Sequence, residues 1–326
     1  MHELDTADGV PEEDVASPAL EGAEDAWMAA MRRGEFERAW RISDAVLRAR
    51  LASGRPFWLG PRHLQPVWTG VPLAGKRVLV RCYHGLGDTI QFVRFAAPLR
   101  AQVRHVTYWA QPSLVALVAT APGVDRALPL HDGAPEDDYD VDIESMEVPH
   151  ALRTRLSDLP RRVPYLFPRA APTARECAPR PVRVGLVWHA GEWDPRRSVP
   201  LALMRRLCSL PNARFFSLQR GPAQRKAREL PAEDIGCDDV ETTAARALRL
   251  DLIITVDTMM AHLAGALAIP TWTLLRARCD WRWMDTRAES PWYPTMRLFR
   301  QRQDGNWEEV VEELRTALLA LIAERL

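Results

Sequence analysis

The stretch Val78-Leu79-Val80-Arg81-Cys82-Tyr83-His84-Gly85-Leu86-Gly87-Asp88-Thr89 runs from an apolar segment through two glycines into a helical pattern. It reads as a buried strand, a tight turn and the first turn of a helix, the unit of parallel α/β sheets. The other half of the chain holds a second such unit: Leu252-Ile253-Ile254-Thr255-Val256, then Asp257-Thr258-Met259-Met260-Ala261-His262. The first turn of a helix presents free backbone N–H groups at the positive end of its dipole, a setting that holds anions, phosphate above all. Two units of this kind predict two similar α/β halves facing a shared cleft.

Outward from these units the alternation continues. In the first half, Arg77–Cys82 reads as a strand and Asp88–Arg100 as a helix with Ile90, Phe92, Val93 and Phe95 on its apolar side. Val106–Trp109 follows as a strand, then a helix with Pro112 at its first position, then extended runs at Val124–Leu128 and Val141–Ile143. Prolines crowd residues 160–181, where the interdomain linker is expected. In the second half, Val182–Trp188, Arg214–Leu218, Leu252–Val256 and Thr271–Leu275 read as strands. Helices are expected at Leu201–Leu210, Pro222–Leu230, after a Thr242 or Thr243 cap, at Met259–Ala268, and from Trp307 to about Glu324.

Before the first strand, residues 23–53 carry Trp27, Met28 and Met31, a break at Gly34, then Phe36, Ala39, Trp40, Val46 and Leu47 at helical spacing. This predicts a helical hairpin similar to one tetratricopeptide unit. A lone unit cannot bury its own face, so it must pack on the next domain or carry a partner. Residues 54–76 are rich in Gly, Pro and Trp and read as irregular. Residues 1–22 are acidic and lack apolar periodicity, as in a disordered tail. The expected division is therefore a tail (1–22), a helical hairpin (23–53), a first Rossmann-like domain (54–165) and a second (166–326).

The 326 residues suffice for two cores. A formal net charge of +0 argues against a nucleic-acid binder, which carries a basic excess. Five scattered cysteines without C-x-x-C spacing give no zinc signature and suit a reducing compartment. No signal-peptide pattern opens the chain and no apolar run approaches a membrane span. The expectation is a cytoplasmic protein, with peripheral association at the inner membrane face left open.

These segments together resemble bacterial glycosyltransferases of family 9, the ADP-heptose heptosyltransferase-like group, and within it the tetratricopeptide-linked branch. The resemblance rests on an ordered set: Gly85-Leu86-Gly87-Asp88-Thr89 with Gln91 to Arg94, Val184-Gly185-Leu186-Val187-Trp188, Arg197-Ser198, Ser217-Leu218-Gln219-Arg220-Gly221 and Asp257 to Leu267. Asp280-Trp281-Arg282-Trp283 and Ser290-Pro291-Trp292-Tyr293-Pro294 complete it. It covers residues 55–320 or so and implies the GT-B fold: donor nucleotide on the second domain, acceptor mainly on the first. The chain departs from the pattern at His84, in the shortened loop 189–198, and at Met259 and Met260.

Asp88 is the expected general base. Sugar transfer needs a group to take the proton of the attacking hydroxyl, and a carboxylate at a cleft-facing turn serves; spacing alone equally fits a helix-capping role. Gly85 and Gly87 supply the turn, and His84 is a candidate polar contact. On the second domain, Asp257 and Thr258 with the N–H groups of Met259, Met260 and Ala261 are expected to hold the diphosphate, His262 adding a donor. Arg197 and Ser198 stand where the family has a phosphate contact; Trp188, His189 and Gln219 end strands that line the cleft. Trp283 and Trp292 are read as core and rim, and Trp281 is left open.

The resulting expectation is an inverting glycosyltransferase without metal or other cofactor. Its donor is a nucleoside-diphosphate sugar, and its acceptor a glycan or protein hydroxyl. Asp138-Tyr139-Asp140 matches a D-x-D pair only as a string, in a loop without a site context. A nucleotide-sugar 2-epimerase and a catalytically idle binding protein are the alternatives, and retention of Asp88 favours the enzyme over the latter.

Overall fold

The computed structural model describes residues 22–53, 68–170, 180–191 and 194–325. The acidic tail, the Gly-, Pro- and Trp-rich stretch up to 67, the middle of the proline-rich linker and two residues of the 189–198 loop lie outside the described residues.

Helices α1 (Ala23–Arg32) and α2 (Phe36–Ser53) form the N-terminal hairpin. Gly34, at φ 75°, makes the reversal between them. The hairpin's apolar face is covered by both halves of the molecule. Trp40 Nε1 donates to the Thr154 carbonyl (2.7 Å), and Asp44 accepts from His150 (2.8 Å) and Arg153 (2.8 Å). Trp27 meets Trp281 edge-on, with ring centroids 5.3 Å apart. The aromatic residue left open by the sequence thus seats the hairpin on the second half.

The first sheet is built from β1 (Arg77–Arg81), α3 (Leu86–Phe92), α4 (Ala96–Arg100), β2 (His105–Ala110), α5 (Val115–Val118), β3 (Arg126–Pro129), β4 (Val141–Glu144) and α6 (Val148–Ala151). Its four parallel strands lie in the order β3-β2-β1-β4. The helix expected over Asp88–Arg100 is broken by a 3₁₀ turn at Val93–Phe95. Pro98 is the cause: it has no N–H for the Arg94 carbonyl, and its ring crowds that turn.

The second sheet comprises β5 (Val182–Val187), α7 (Leu201–Cys208), β6 (Ala213–Ser217), β7 (Glu233–Asp234), α8 (Val240–Ala247), β8 (Leu252–Val256), α9 (Met259–Ala266), β9 (Thr271–Leu275), β10 (Met296–Arg300) and α10 (Trp307–Ala323). Its order is β10-β9-β8-β5-β6-β7, with every pair parallel. Two local expectations are corrected. The α-helix placed at Pro222–Leu230 is a 3₁₀ run, Gly221–Glu229, in which only Ala223 and Ala227 are buried; Pro231 then disfavours helical backbone at Leu230. The cap of α8 is Asp239, whose carboxylate accepts from Thr242 N (2.7 Å), and neither threonine.

One apolar core fills the space between α7, α10 and one face of the second sheet; it includes Leu186, Trp188, Leu314 and Leu318. The other joins the first sheet, α9, the hairpin and the tryptophans of 281–292 into a single cluster. Arg94 locks the two halves within that cluster. Buried, it donates to the Trp292 carbonyl (2.5 Å) and Tyr165 Oη (2.9 Å), with its guanidinium 4.4 Å from the Tyr293 ring centroid.

Candidate active-site cleft

In doubly wound sheets the ligand crevice lies at the carboxyl ends of the strands where the strand order reverses. Here the order reverses at β1/β4 in the first sheet and at β5/β8 in the second. The loops leaving three of these strands, after β1, β5 and β8, line a cleft of about 890 Å³ between the two halves.

From the first half come His84, Gly85, Leu86, Gly87 and Asp88. Gly85 caps α3 without a side chain, and the Asp88 carboxylate reaches back to accept from Gly85 N (2.9 Å). Gly87 lets the starts of α3 and α9 meet: a Cβ there would sit 2.9 Å from His262 Cδ2 and 3.4 Å from Met259 Cα. His84 is held in its neutral form, its pKa lowered by burial against the opposing pull of Asp88.

From the second half, Asp257, Thr258, Met259, Met260 and His262 line the same space. Thr258 is the N-cap of α9, its hydroxyl accepting from Met260 N (3.3 Å), and the Thr258 carbonyl accepts from Ala261 N (3.0 Å). Two of the three N–H groups expected to face phosphate are therefore bonded within the turn, and Ala261 does not line the cleft. His262 stacks on Trp283 (5.3 Å between centroids) and bonds Tyr293 Oη through Nδ1 (3.0 Å). Burial, with Arg282 and Arg94 nearby, pushes its pKa well below the ordinary value, so the imidazole is neutral. Burial and the neighbouring Asp280 raise the Asp257 carboxyl to about 6, against the pull of Arg197.

The β5 side departs most from expectation. Trp188 is buried in the core with α7 and α10, not in the cleft. Side chains alternate along a strand, so Val184, Leu186 and Trp188 share the core face while Val187 and His189 face the cleft. Gln219 lines the cleft, but its amide is spent on backbone: Oε1 accepts from Trp188 N (3.2 Å) and His189 N (3.0 Å), and Nε2 donates to the His189 and Arg220 carbonyls. The Ser198 hydroxyl accepts from Ala190 N (3.1 Å) and stands outside the lining. Arg197 does line the cleft, donating to the Asp257 carbonyl (2.9 Å), whereas Arg196 turns outward to Asp194.

The residue that sequence reasoning passed over is Arg282. It is buried, lines the cleft, and bridges Asp88 Oδ1 (2.6 Å) and Asp280 Oδ1 (2.9 Å). Burial would depress its pKa, but Asp280 and Asp88 outweigh this and hold it above the ordinary value, so it stays cationic. Its signal was a lone arginine between Trp281 and Trp283, a segment dominated by its aromatics. Among the described residues no group of three or more His, Cys, Asp or Glu side chains is placed to hold a metal ion.

Fold and cleft together define a two-domain α/β protein of the GT-B type. The comparisons with known proteins agree. A glycosyl transferase of family 9 from Veillonella parvula DSM 2008 superposes with a TM-score of 0.54 at 14% identity, covering 78% of this chain and 99% of that one. The E. coli heptosyltransferase WaaC, solved with ADP-2-deoxy-2-fluoro heptose, gives 0.53 at 14% identity over 77% of this chain and all (100%) of its own. The chain has the fold of the family 9 glycosyltransferases. In sequence it is similar to protein FlbA of Caulobacter vibrioides, 26% identical over 289 residues, which take in 77% of this chain and 48% of FlbA. The chain thus spans about half the length of the curated relative it matches. No family model matches it.

Proposed function

We propose that this protein is an inverting glycosyltransferase that moves a sugar from a nucleoside-diphosphate donor to a hydroxyl of a glycan or protein. The observation that carries the reading is the Asp88 carboxylate, set at the cleft between the two halves, paired with Arg282 of the opposite half and close to the start of α9. Each Asp88 oxygen accepts one hydrogen bond, from Gly85 N or from Arg282, and keeps a lone pair for a substrate proton.

The acceptor oxygen attacks the anomeric carbon as the bond from that carbon to the diphosphate oxygen breaks. The bonding pair leaves with the nucleoside diphosphate, and the hydroxyl proton passes to Asp88. Negative charge grows on the departing diphosphate, and Arg197, Arg282 and the positive end of α9 are the groups that meet it. Charges fixed in place before the reaction stabilise it without reorganisation, which is the role a metal plays in other sugar transferases. The fold of the family 9 enzymes supports the donor class.

The test is a thermal-shift panel with ADP, UDP, GDP, dTDP and CMP in the presence of EDTA. A ligand that binds only the folded chain raises its melting temperature by mass action. The expected result is a clear rise with one diphosphate, which names the base and narrows the sugars to assay for transfer. No rise with any of them, from folded protein, overturns the reading.

A further inference from the structure

A second cavity, of about 530 Å³, lies between the N-terminal hairpin and the rest of the molecule. Its size and walls are those of small-molecule sites, mostly aromatic and aliphatic with a few placed polar groups. Trp27, Ser43 and Val46 line it from the hairpin; Phe92, Trp281 and Trp292 line the opposite side; Glu144 and Glu147 form its polar end. Those two carboxyls follow the end of β4, which with β1 makes the reversal of strand order in the first sheet, where ligands of such folds sit. The main cleft uses the β1 loop of that crevice and leaves the β4 loop to this cavity.

The partition between the two spaces is two side chains thick. Glu144 Oε1 is 3.7 Å from His84 Nε2, and Met146 Sδ is 3.0 Å from Arg282 Nη2, the nitrogen that also holds Asp88 Oδ1 at 2.6 Å. Glu144 and Met146 line the cavity, while His84, Arg282 and Asp88 line the cleft. A molecule seated in the cavity is therefore separated from the proposed base by Met146 and Arg282.

We propose that this cavity binds an uncharged saccharide unit of a glycan acceptor, apart from the unit whose hydroxyl reacts at Asp88. The acceptor role rests on the transferase reading; the saccharide site does not. Indole and phenyl rings offer flat apolar surfaces to the C–H faces of a sugar ring, and carboxyls match its hydroxyls. Burial raises Glu144 to about 8 and Glu147 to about 7, so near neutrality both can donate as well as accept. Glu147 has a single hydrogen bond among the described residues, a long one from Glu144 N (3.3 Å), and so has capacity for a ligand. An acyl chain or apolar peptide side chain would bury that carboxyl unmatched, at a cost. An anionic sugar would meet Glu24, Glu144 and Glu147, with the exposed Arg50 as the one arginine among the described lining residues.

The experiment is saturation-transfer NMR on the full chain. Its probes are methyl glycosides of glucose, galactose, mannose and N-acetylglucosamine, with neutral trisaccharides of each. Val46→Trp fills the cavity from α2 without touching the cleft, and Glu147→Leu removes the polar match while keeping bulk. The expected result is binding of at least one glycoside to the wild type, lost in Val46→Trp and weakened about tenfold or more in Glu147→Leu. The nucleoside-diphosphate thermal shift should be unchanged in both. If Val46→Trp does not fold, Glu147→Leu alone decides. Overturning results are no glycoside binding to wild type, glycoside binding that ignores both substitutions, or saturable binding there of a fatty acid or tryptophan-containing peptide in place of sugars. Glycoside binding with this mutational pattern but no nucleotide shift would sink the transferase reading and leave the saccharide site standing.

Discussion

Arg282 Nη2 lies 2.6 Å from Asp88 Oδ1, joining the second half of the chain to the first across the floor of the cleft. Its other terminal nitrogen holds Asp280 Oδ1 at 2.9 Å, so one planar guanidinium fixes two carboxylates. In the proposed reaction it both orients the base and faces the departing diphosphate. Arg282→Gln is expected to lower kcat by about 100-fold or more and to weaken nucleoside-diphosphate binding roughly 10- to 100-fold. Arg282→Lys restores little, because an ammonium cannot span both partners. Single-turnover kinetics and calorimetry give the two numbers; unchanged turnover in Arg282→Gln would remove this arginine from the mechanism.

Asp88 itself separates chemistry from scaffolding. Its carboxylate also accepts from Gly85 N at 2.9 Å, a helix-start bond that contributes about 1 kcal/mol. Asp88→Asn retains an acceptor for that bond and loses the base. Transfer should vanish in both Asp88→Ala and Asp88→Asn, with nucleotide affinity kept within a few fold. A large loss of affinity in Asp88→Asn would make the residue structural.

Gly87 is where the two helix starts touch. A methyl group there would meet the His262 ring at 2.9 Å, and that ring is clamped between Trp283 and Tyr293 Oη. Gly87→Ala must push α3 and α9 apart. The expected cost is about 1–3 kcal/mol, read as a lower urea midpoint, with weaker nucleotide binding because both cleft walls shift. A variant with wild-type stability would mean that the helix starts are further apart in solution.

Trp188 tests the correction made at the end of β5. It is buried with α7 and α10, and its neighbours Val187 and His189 are the ones that face the cleft. Trp188→Phe should reduce stability by about 1–3 kcal/mol and leave nucleoside-diphosphate affinity unchanged. A tenfold affinity loss from a chain of normal stability would return Trp188 to the site.

Much of the scaffold could be read from residue order because strand and helix periods are local. Leu252–Val256 is a strand with the predicted bounds, and the glycine-bearing turn after β1 stands where Val78 to Thr89 places it. Parity was the first loss: Trp188, Gln219 and Ser198 lie at a strand end or in the loop beyond it, and sequence alone does not say which face such a residue takes. The second was long-range charge. Arg282 is 194 positions from Asp88, and no local pattern pairs them. The third was internal satisfaction, since Thr258 consumes the very N–H groups of Met260 and Ala261 that a bare helix start offers.

Glu144 predicts the pH dependence of stability. Its carboxyl is buried, and desolvation raises it from 4.5 to about 8, beyond what the Met146 N–H and Ser145 hydroxyl bonds offset. The folded chain thus holds a proton that the unfolded chain releases between about pH 4.5 and 8. Where the folded state binds more protons, stability falls as pH rises. The favourable term is complete below pH 4.5 and is lost through pH 8; Glu147, raised to about 7, acts in the same sense. Glu144→Gln keeps acceptor and donor for Met146 N and Ser145 Oγ but cannot ionise. Its urea midpoint should therefore match or trail the wild type at pH 5 and exceed it at pH 9. The gain is bounded by about 1.4 kcal/mol per unit of pKa displacement. A variant that loses ground to the wild type as pH rises would show that Glu144 is ionised in the folded chain beside a counter-charge.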